Sequence, residues 1–308
     1  MTGEPLTDAS LSTESLSIVS PRASLDPEID LSDLEAEIDL SDLEAVERGV
    51  AAVFLAGHPV GAGAPLAVVI AAYNEELSIA EVVAALPAQV GGLPLEIIVV
   101  VDGALDATAE RAARAGALVC DVAVNRGQGA ALRLGYFLAR ARGARIIATT
   151  DADGQYDPEE LARVVAPVVE GVADFVSGSR RLGTTLTTDG FRQAGVVLFG
   201  LLISVLTGQR VTDPACGMRA MRAEVTAAVT LRQPQYQAAE LMIATALAGY
   251  RLAEVPITMR PRSAGVTKKG GNLLYGARFA RVVLGTWWRD RPASGGGLPW
   301  RSVKITHS

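Results

Sequence analysis

The stretch RIIATTDADGQYDP, residues 145–158, joins an apolar run to a group of closely spaced polar residues. Its first half is rich in isoleucine and threonine, which is typical of a β-strand. Asp151 and Asp153 follow one residue apart, and Pro158 begins a helix-like stretch. Carboxylates at the end of a buried strand are costly unless a positive charge lies beside them. The stretch therefore predicts a strand that carries two acids to a cation.

Three other runs share the apolar, β-branched character of this strand. The four runs are LAVVIAAY (66–73), LEIIVVVDG (95–103), ALVCDVAV (117–124) and ARIIATTD (144–151). Because they are apolar on both faces, they suit the central strands of a mostly parallel sheet. Helix-like stretches occupy residues 77–86, 107–115, 129–142 and 158–170. This alternation predicts an α/β fold, a Rossmann-like, doubly wound sheet with helices on both faces and its ligand site at the carboxyl ends of the strands.

Polar residues follow each predicted strand at the edge where a ligand would bind. They are Tyr73-Asn74-Glu75, Asp102, Asn125 to Gly129 and Asp151 to Gln155. In an extended chain, side chains two residues apart point the same way, so Asp151, Asp153 and Gln155 could converge. Three oxygen donors suit Mg²⁺ or Mn²⁺. The alternative is an acidic turn, since Asp153-Gly154 is also typical turn chemistry.

The distribution of charge and the small number of histidines limit the kinds of partner and catalytic site that the protein can have. The net charge of −6 is segregated: residues 1–49 hold 13 acids against two arginines, and residues 251–308 hold 11 basic residues against two acids. A basic end indicates an anionic partner. With only His58 and His307, histidine metal sites and Ser-His-Asp catalysis are not expected. Few aromatic residues interleave the basic ones, so no nucleic-acid partner is expected.

The ordered polar motifs resemble those of family-2 glycosyltransferases of GT-A fold. They are Tyr73-Asn74-Glu75, Asp102-Gly103 with Asp106 and Thr108, Asp151-Ala152-Asp153-Gly154-Gln155 and Gly178-Ser179-Arg180. Further along, TDPACGMRA (212–220), Glu240, EVPI (254–257) and RPRSAGVTKK (260–269) are similar to the polyprenyl- and dolichol-phosphate mannose synthase-like branch. Ala71, Val101, Ala104 and Gln128 depart from the usual motifs, which bears on the identity of the donor.

The resemblance implies a role for each matching residue. The nucleotide-binding residues would be Ala72, Tyr73, Glu75, Asp102, Asp151 and Ala152. The ligands of Mg²⁺ or Mn²⁺ on the donor diphosphate would be Asp151, Asp153 and Gln155. Arg180 and Arg192 would bind the acceptor phosphate, and Arg262 and Lys268 the diphosphate side. The catalytic set would be Asp153, Arg180 and Arg192.

The implied reaction is the metal-dependent, inverting transfer of a sugar from a GDP- or UDP-sugar to a polyprenyl phosphate at the cytoplasmic membrane face. No general base is evident, which fits a phosphate acceptor because phosphate is already ionised near neutral pH. Two alternatives stay open. One is a soluble small-molecule acceptor, and the other is a catalytically silent GT-A domain that serves as a membrane scaffold.

The chain divides into three predicted segments. Residues 1–49 form an acidic, largely disordered tail with a tandem repeat, EIDLSDLEA at 28–36 and 37–45, which could bind a protein partner. Residues 65–262 form the catalytic domain, and residues 263–308 form a basic amphipathic helix and tail. Within the catalytic domain, the apolar run at 191–209 predicts an amphipathic helix at the membrane interface, with a core helix and a short span as the alternatives. The protein is expected to be cytoplasmic and peripherally bound to the inner membrane face.

Overall fold

The computed structural model describes residues 43–186, 190–262 and 272–291, with the backbone alone for 190–192 and 272–275. The strands are β1 (Leu66–Ala72), β2 (Gln89–Val90), β3 (Leu93–Asp102), β4 (Leu118–Val122), β5 (Ile146–Thr149), β6 (Phe175–Thr185), β7 (Arg219–Arg222) and β8 (Leu252–Met259). The α-helices are α1 (Ala45–Gly57), α2 (Ile79–Ala85), α3 (Thr108–Arg114), α4 (Gln128–Ala141), α5 (Leu161–Val169), α6 (Gly190–Thr207), α7 (Ala223–Ala228), α8 (Gln237–Leu247) and α9 (Asn272–Asp290). A 3-10 helix at Pro158–Glu160 precedes α5.

The strands form a sheet in the order β4-β3-β1-β5-β7-β6-β8, and the short β2 pairs with β3. Neighbouring strands of the main sheet are parallel except at β7, which is antiparallel to both β5 and β6. This confirms the predicted mostly parallel α/β sheet. From β1 the chain builds outward through β3 and β4 and then crosses back to β5 on the other side of β1. The ligand crevice of such a sheet lies at this reversal.

Successive residues of β1 pack on opposite faces of the sheet. Ala67 and Val69 belong to the apolar core under α4, whereas Leu66, Val68 and Ile70 belong to the core under α2 and α5. All five are fully buried. Burying an aliphatic side chain contributes about 1.5–3 kcal/mol. Burial on both faces explains why the strand sequences show no alternation of polar and apolar residues.

Helix α1 belongs to the folded part of the chain and begins at the end of the second repeat. Leu43 is buried in the core under α4, and the Glu44 backbone N–H donates to Glu47 Oε2 over 2.9 Å at the start of the helix. The tail boundary predicted at residue 49 therefore falls inside a packed helix, because the apolar face of α1 contacts β4 and α4. Residues 1–42, which include the first repeat, lie outside the described residues.

Helix α6 corresponds to the apolar run predicted at 191–209, and α9 to the predicted C-terminal amphipathic helix. The two helices pack against each other, and the Trp287 indole N–H donates to the Leu206 carbonyl over 2.9 Å. Leu198, Leu201 and Val205 on α6 are exposed. No helix among residues 43–186, 190–262 and 272–291 has the length and apolar character needed to cross a membrane.

Candidate active site

A cleft of about 640 Å³ opens at the carboxyl ends of β1, β3, β4 and β5. Eight residues predicted from the sequence line it: Ala72, Tyr73, Glu75, Asp102, Asp151, Ala152, Asp153 and Arg262. They come from loops that are far apart in the chain, and the parallel register of the strands brings those loops to one edge. The cleft therefore lies at the reversal of strand order, where the fold predicts a ligand.

Hydrogen bonds fasten the loops after β1, β3 and β5 to one another. The Glu75 backbone N–H donates to Thr108 Oγ1 over 2.9 Å, and the Leu105 N–H donates to Asn74 Oδ1 over 2.8 Å. The Ser78 hydroxyl donates to the Ala152 carbonyl over 2.8 Å. These bonds hold the Tyr73–Glu75 stretch between its two neighbours, so the wall of the cleft is formed before a ligand arrives.

Asp102 organises the loop that follows β4. Its carboxylate accepts hydrogen bonds from the backbone N–H groups of Arg126 (2.8 Å) and Gly127 (2.7 Å). The Asn125 side-chain amide donates to the Asp102 carbonyl over 2.9 Å. Gly127 has a φ of 97°, a backbone conformation that favours glycine. The last acid of β3 thus fixes the shape of the neighbouring loop while lining the cleft.

Asp151 and Asp153 form the acidic floor of the cleft. Burial and the neighbouring Asp151 raise the pKa of Asp153 to about 6, and Arg262 opposes this shift. Arg262 Nη2 lies 2.9 Å from Asp153 Oδ2, and its Nη1 lies 3.9 Å from Glu75 Oε1. Burial and the second carboxylate both disfavour the charged form of Asp153, and a bound cation would offset both effects.

The donor set fits a hard divalent ion that is shared with a substrate. Mg²⁺ in proteins is commonly held by one or two carboxylates together with substrate phosphates and water. Asp151 and Asp153 supply two carboxylates. In the part of the chain that the structure describes, no group of three or more Asp, Glu, His or Cys side chains is placed to hold a metal ion alone. An ion held by these two carboxylates would need further ligands, such as a substrate phosphate and water.

Gln155 lies outside the lining of the cleft. Its side-chain amide donates to the Arg260 carbonyl over 3.1 Å, and its backbone N–H donates to Asp153 Oδ1 over 3.1 Å. The chain turns at Gly154, which has a φ of 72°, so the spacing of side chains in an extended strand does not continue past Asp153. Its predicted role as a metal ligand stays a prediction.

Arg180 also lies away from the cleft lining. Its Nε and Nη2 each donate to the Asp213 carboxylate over 2.6 Å, and Asp213 is fully buried. Burial lowers the pKa of Arg180, but its hydrogen bonds to Asp213 outweigh burial and the net shift is upward. The acceptor role of Arg180 stays a prediction. The side chain of Arg192 and the whole of Lys268 fall outside the described residues.

The cleft also contains basic side chains that the sequence did not single out. Arg219, at the start of β7, is buried and lines the cleft. It donates from Nε to the Cys216 carbonyl over 2.7 Å and forms no ion pair with a described residue. Arg278 on α9 lines the same cleft. The sequence does mark Arg219 as unusual, because it is a charged residue inside the apolar run ACGMRAM. Its position in the cleft could not be predicted, because it depends on the antiparallel insertion of β7 between β5 and β6.

The family described as "Glycosyl transferase family 2" matches residues 67–230, which are more than half of the chain. The chain belongs to glycosyl transferase family 2. The family assignment confirms the resemblance expected from the sequence, and the protein is accordingly a glycosyltransferase. Helix α1 precedes the matched region.

Two relatives of this glycosyltransferase are named for sugar transfer involving lipid phosphates. It is 36% identical over 222 residues to a dolichyl-phosphate hexose transferase of Haloferax volcanii, covering 71% of this chain and 94% of that one. It is 32% identical over 168 residues to an undecaprenyl-phosphate mannosyltransferase of Micrococcus luteus, covering 53% and 67% respectively.

A similar solved structure is glucosyl-3-phosphoglycerate synthase of Mycobacterium tuberculosis, crystallised with Mn²⁺, UDP and glucosyl-3-phosphoglycerate. The TM-score is 0.56 at 25% identity, and the match covers 78% of this glycosyltransferase and 85% of the synthase. The similarity supports the GT-A-like architecture predicted for the chain.

Proposed function

We propose that this family-2 glycosyltransferase transfers a sugar from a GDP- or UDP-sugar to a polyprenyl phosphate at the cytoplasmic face of the membrane. The observation that carries the proposal is a cleft lined by four acids and three arginines beside a helix with an exposed apolar face. The relatives named for dolichyl and undecaprenyl phosphate support the acceptor class.

The donor occupies the cleft with its diphosphate over Asp151 and Asp153. These two carboxylates would hold Mg²⁺ or Mn²⁺, and such an ion would supply positive charge to neutralise the leaving nucleoside diphosphate. The synthase crystallised with Mn²⁺ and UDP supports this arrangement. Tyr73, Glu75 and Asp102 line the same cleft, and the base and ribose would bind to them.

The acceptor phosphate attacks the sugar directly, with inversion at the anomeric carbon. A phosphate oxygen is already ionised near neutral pH, so the cleft needs no general base to activate it. Arg219 and Arg278 add positive charge to the cleft, which favours binding of this second phosphate. Arg219 suits that purpose because it is buried and has no acidic partner among the residues that the structure describes.

The lipid chain of the acceptor leaves the cleft along α6 and α9. Phe279 of α9 lines the cleft and packs on Phe199 of α6, with ring centroids 4.5 Å apart. Leu198 and Leu201 on α6 are each 63% exposed, and Trp288 on α9 is 65% exposed. Exposed apolar side chains with a tryptophan are typical of a helix at a membrane surface. We propose that this face places the protein peripherally on the membrane.

A soluble phosphorylated acceptor is the second candidate function. It is favoured by the similarity to a synthase crystallised with glucosyl-3-phosphoglycerate, whose acceptor part is a small phosphorylated acid. In that case the cleft would serve the same donor chemistry, and the exposed face of α6 would have no part in catalysis.

The test compares different acceptors with the same nucleotide-sugar donor. The full chain is assayed with UDP- and GDP-sugars, Mg²⁺ or Mn²⁺, and either undecaprenyl phosphate in vesicles, farnesyl phosphate or 3-phosphoglycerate. We expect turnover with the prenyl phosphates. The double variant Leu198→Ser/Leu201→Ser should lose turnover with the vesicle acceptor and keep it with farnesyl phosphate. Turnover with 3-phosphoglycerate alone would contradict the proposal and favour the soluble acceptor.

A further inference from the structure

An ion cluster joins α1 to the loop that Asp102 organises. Glu47 on α1 is buried, and its Oε1 lies 2.6 Å from Arg133 Nη2 on α4 and 3.4 Å from Arg126 Nη1. Glu44 also pairs with Arg126. The four side chains are called the α1 cluster below. Arg126 belongs to the 125–128 loop, Asn125 to Gln128, at the edge of the cleft.

The α1 cluster is linked to the cleft through Arg126, which lies between the lining residues Asn125 and Gly127. The Arg126 guanidinium faces Glu44 and Glu47, whereas its backbone N–H donates to the Asp102 carboxylate over 2.8 Å. The guanidinium of Arg126 is therefore held by α1, and its backbone is held by Asp102 in the cleft wall. Helix α1 precedes residues 67–230, which match the family, so this contact comes from a part of the chain outside the matched region.

Because Glu47 is buried, its negative charge must be paired within the protein. A buried carboxylate is tolerated when it is paired and hydrogen-bonded, and Glu47 meets this condition through the two arginines and the Glu44 N–H. Conversely, Arg126 Nη1 is buried and has no hydrogen-bond partner within the described residues. Its charge is balanced by the carboxylate of Glu47 at 3.4 Å rather than by a hydrogen bond. Removing the charge on Glu47 leaves this nitrogen without its carboxylate, so the guanidinium is held by Glu44 alone and is less well fixed.

We propose that Glu47 is a positioning residue for the donor nucleotide. Acting through Arg126, it holds the 125–128 loop in the conformation that binds the Asp102 carboxylate, and so fixes the wall on which the base and ribose lie. The inference rests on the proposed function, because it assigns the nucleotide to this cleft. It also means that α1 contributes to activity, although its first residues fall in the segment predicted as a largely disordered tail.

The substitution Glu47→Gln keeps the size of the side chain and removes its charge. We expect the Kd for UDP or GDP, whichever the wild type binds, and the donor KM to rise about tenfold, within the usual range for coupled neighbours. The value of kcat should change little, because the lost interaction positions the donor equally in the ground state and the transition state. The acceptor KM should stay unchanged.

A double-mutant cycle separates positioning from a purely structural role. Arg126→Gln keeps the backbone N–H that binds Asp102 and removes the guanidinium. If Glu47 acts through Arg126, the double variant Glu47→Gln/Arg126→Gln should bind nucleotide as weakly as either single variant, not a hundredfold more weakly than the wild type. Because Arg126 is partly exposed, its single variant also serves if Glu47→Gln does not fold.

Nucleotide binding by isothermal titration and thermal unfolding are measured on the full chain for each variant. Glu81→Gln, an exposed glutamate on α2, is the matched control and should bind nucleotide like the wild type. Additive losses in the cycle, or lower melting temperatures with an unchanged nucleotide Kd, would overturn the inference and leave the proposed function standing. A wild-type protein that binds neither nucleotide would overturn both.

Discussion

Arg262 Nη2 lies 2.9 Å from Asp153 Oδ2, which puts a guanidinium against one of the two acids proposed to hold the divalent ion. Burial and Asp151 both disfavour negative charge on Asp153, and Arg262 offsets part of that effect. A metal ion and a guanidinium on the same carboxylate repel each other. Binding of the ion should therefore release Arg262, which is then free to contact the donor diphosphate.

This competition predicts opposite effects of Arg262→Gln on the metal ion and on the donor. Without nucleotide, the variant should bind Mn²⁺ more tightly, by about fivefold, which is the low end of typical coupling between sites. With the donor present, its KM should rise because a cation for the diphosphate is lost. Mn²⁺ titration followed by electron paramagnetic resonance and steady-state kinetics measure the two effects.

Arg260→Gln is the matched control for Arg262→Gln. Arg260 pairs with Asp157, outside the lining of the cleft, and we expect both Mn²⁺ affinity and donor KM to match the wild type. Weaker binding of Mn²⁺ to Arg262→Gln would show that the guanidinium supports the ion site rather than competing for it.

Asp153→Asn removes one of the two acids of the cleft floor and should abolish most metal-dependent transfer. Loss of one preorganised electrostatic contact to a transition state typically costs about 10²- to 10³-fold in kcat. The fold should persist, because an amide satisfies the burial requirement of the site better than a carboxylate does. Turnover and Mn²⁺ affinity are the measurements.

The same substitution at Asp157, four residues further on, controls for a change in this loop. Asp157 accepts a hydrogen bond from the Glu159 N–H at the start of the 3-10 helix, and asparagine can accept it equally well. Asp157→Asn should therefore keep full turnover. Wild-type turnover in Asp153→Asn would remove Asp153 from the proposed mechanism.

Arg180→Ala should act on stability before it acts on catalysis. The substitution leaves the carboxylate of Asp213 buried without its guanidinium partner, and breaking a buried pair in this way costs about 3–5 kcal/mol of unfolding free energy. Urea unfolding measures the loss, and the acceptor KM of the folded protein tests the role predicted from the sequence. Arg181→Ala, at the exposed neighbouring position, should unfold like the wild type.

A raised acceptor KM in Arg180→Ala, at a temperature where the variant is folded, would support the acceptor-binding role. An unchanged KM together with the stability loss would assign Arg180 to the core. The structure favours the second outcome, since Nε and Nη2 of the guanidinium both donate to the Asp213 carboxylate.

The sequence predicted the sheet well because the burial of each strand can be recognised from the residues of that strand alone. Val68 and Val69 are buried on opposite faces of the sheet. A short apolar run without polar alternation is typical of a strand that is buried on both faces. The acids at the ends of β3 and β5 were predictable for the same reason, since parallel strands present their carboxyl ends at one edge. These two facts locate the cleft without any long-range information.

The parts that the sequence missed depend on contacts between distant residues. Arg180 meets Asp213, 33 residues further along the chain, and Glu47 meets Arg133, 86 residues away. No local pattern distinguishes these residues from solvated charges. Gly217 is a third example. A Cβ there would lie 2.4 Å from Asp151 Oδ1, so the glycine keeps space for an acid 66 positions earlier.

The Asp174–Arg251 pair predicts how stability changes with pH. Asp174, immediately before β6, accepts hydrogen bonds from the backbone N–H (2.9 Å), Nε (3.0 Å) and Nη2 (2.7 Å) of Arg251, which immediately precedes β8. The Arg251 side-chain hydrogen bonds lower the pKa of Asp174, against a smaller opposing effect of burial. A lowered pKa in the folded state means that the carboxylate stabilises the fold above its unfolded pKa of about 3.9, and that this stabilisation is lost as the pH falls through the folded value.

Asp174→Asn should therefore lower the melting temperature by a few degrees at pH 7 and by progressively less as the pH falls below about 4. Thermal unfolding followed by circular dichroism from pH 7 to pH 3 measures the difference between variant and wild type. Arg251→Gln should reproduce the loss at pH 7, and the double variant should lose no more than either single one, because both act on one interaction. An equal difference between Asp174→Asn and the wild type at pH 3 and pH 7 would mean that the charge of Asp174 is not what joins β6 to β8.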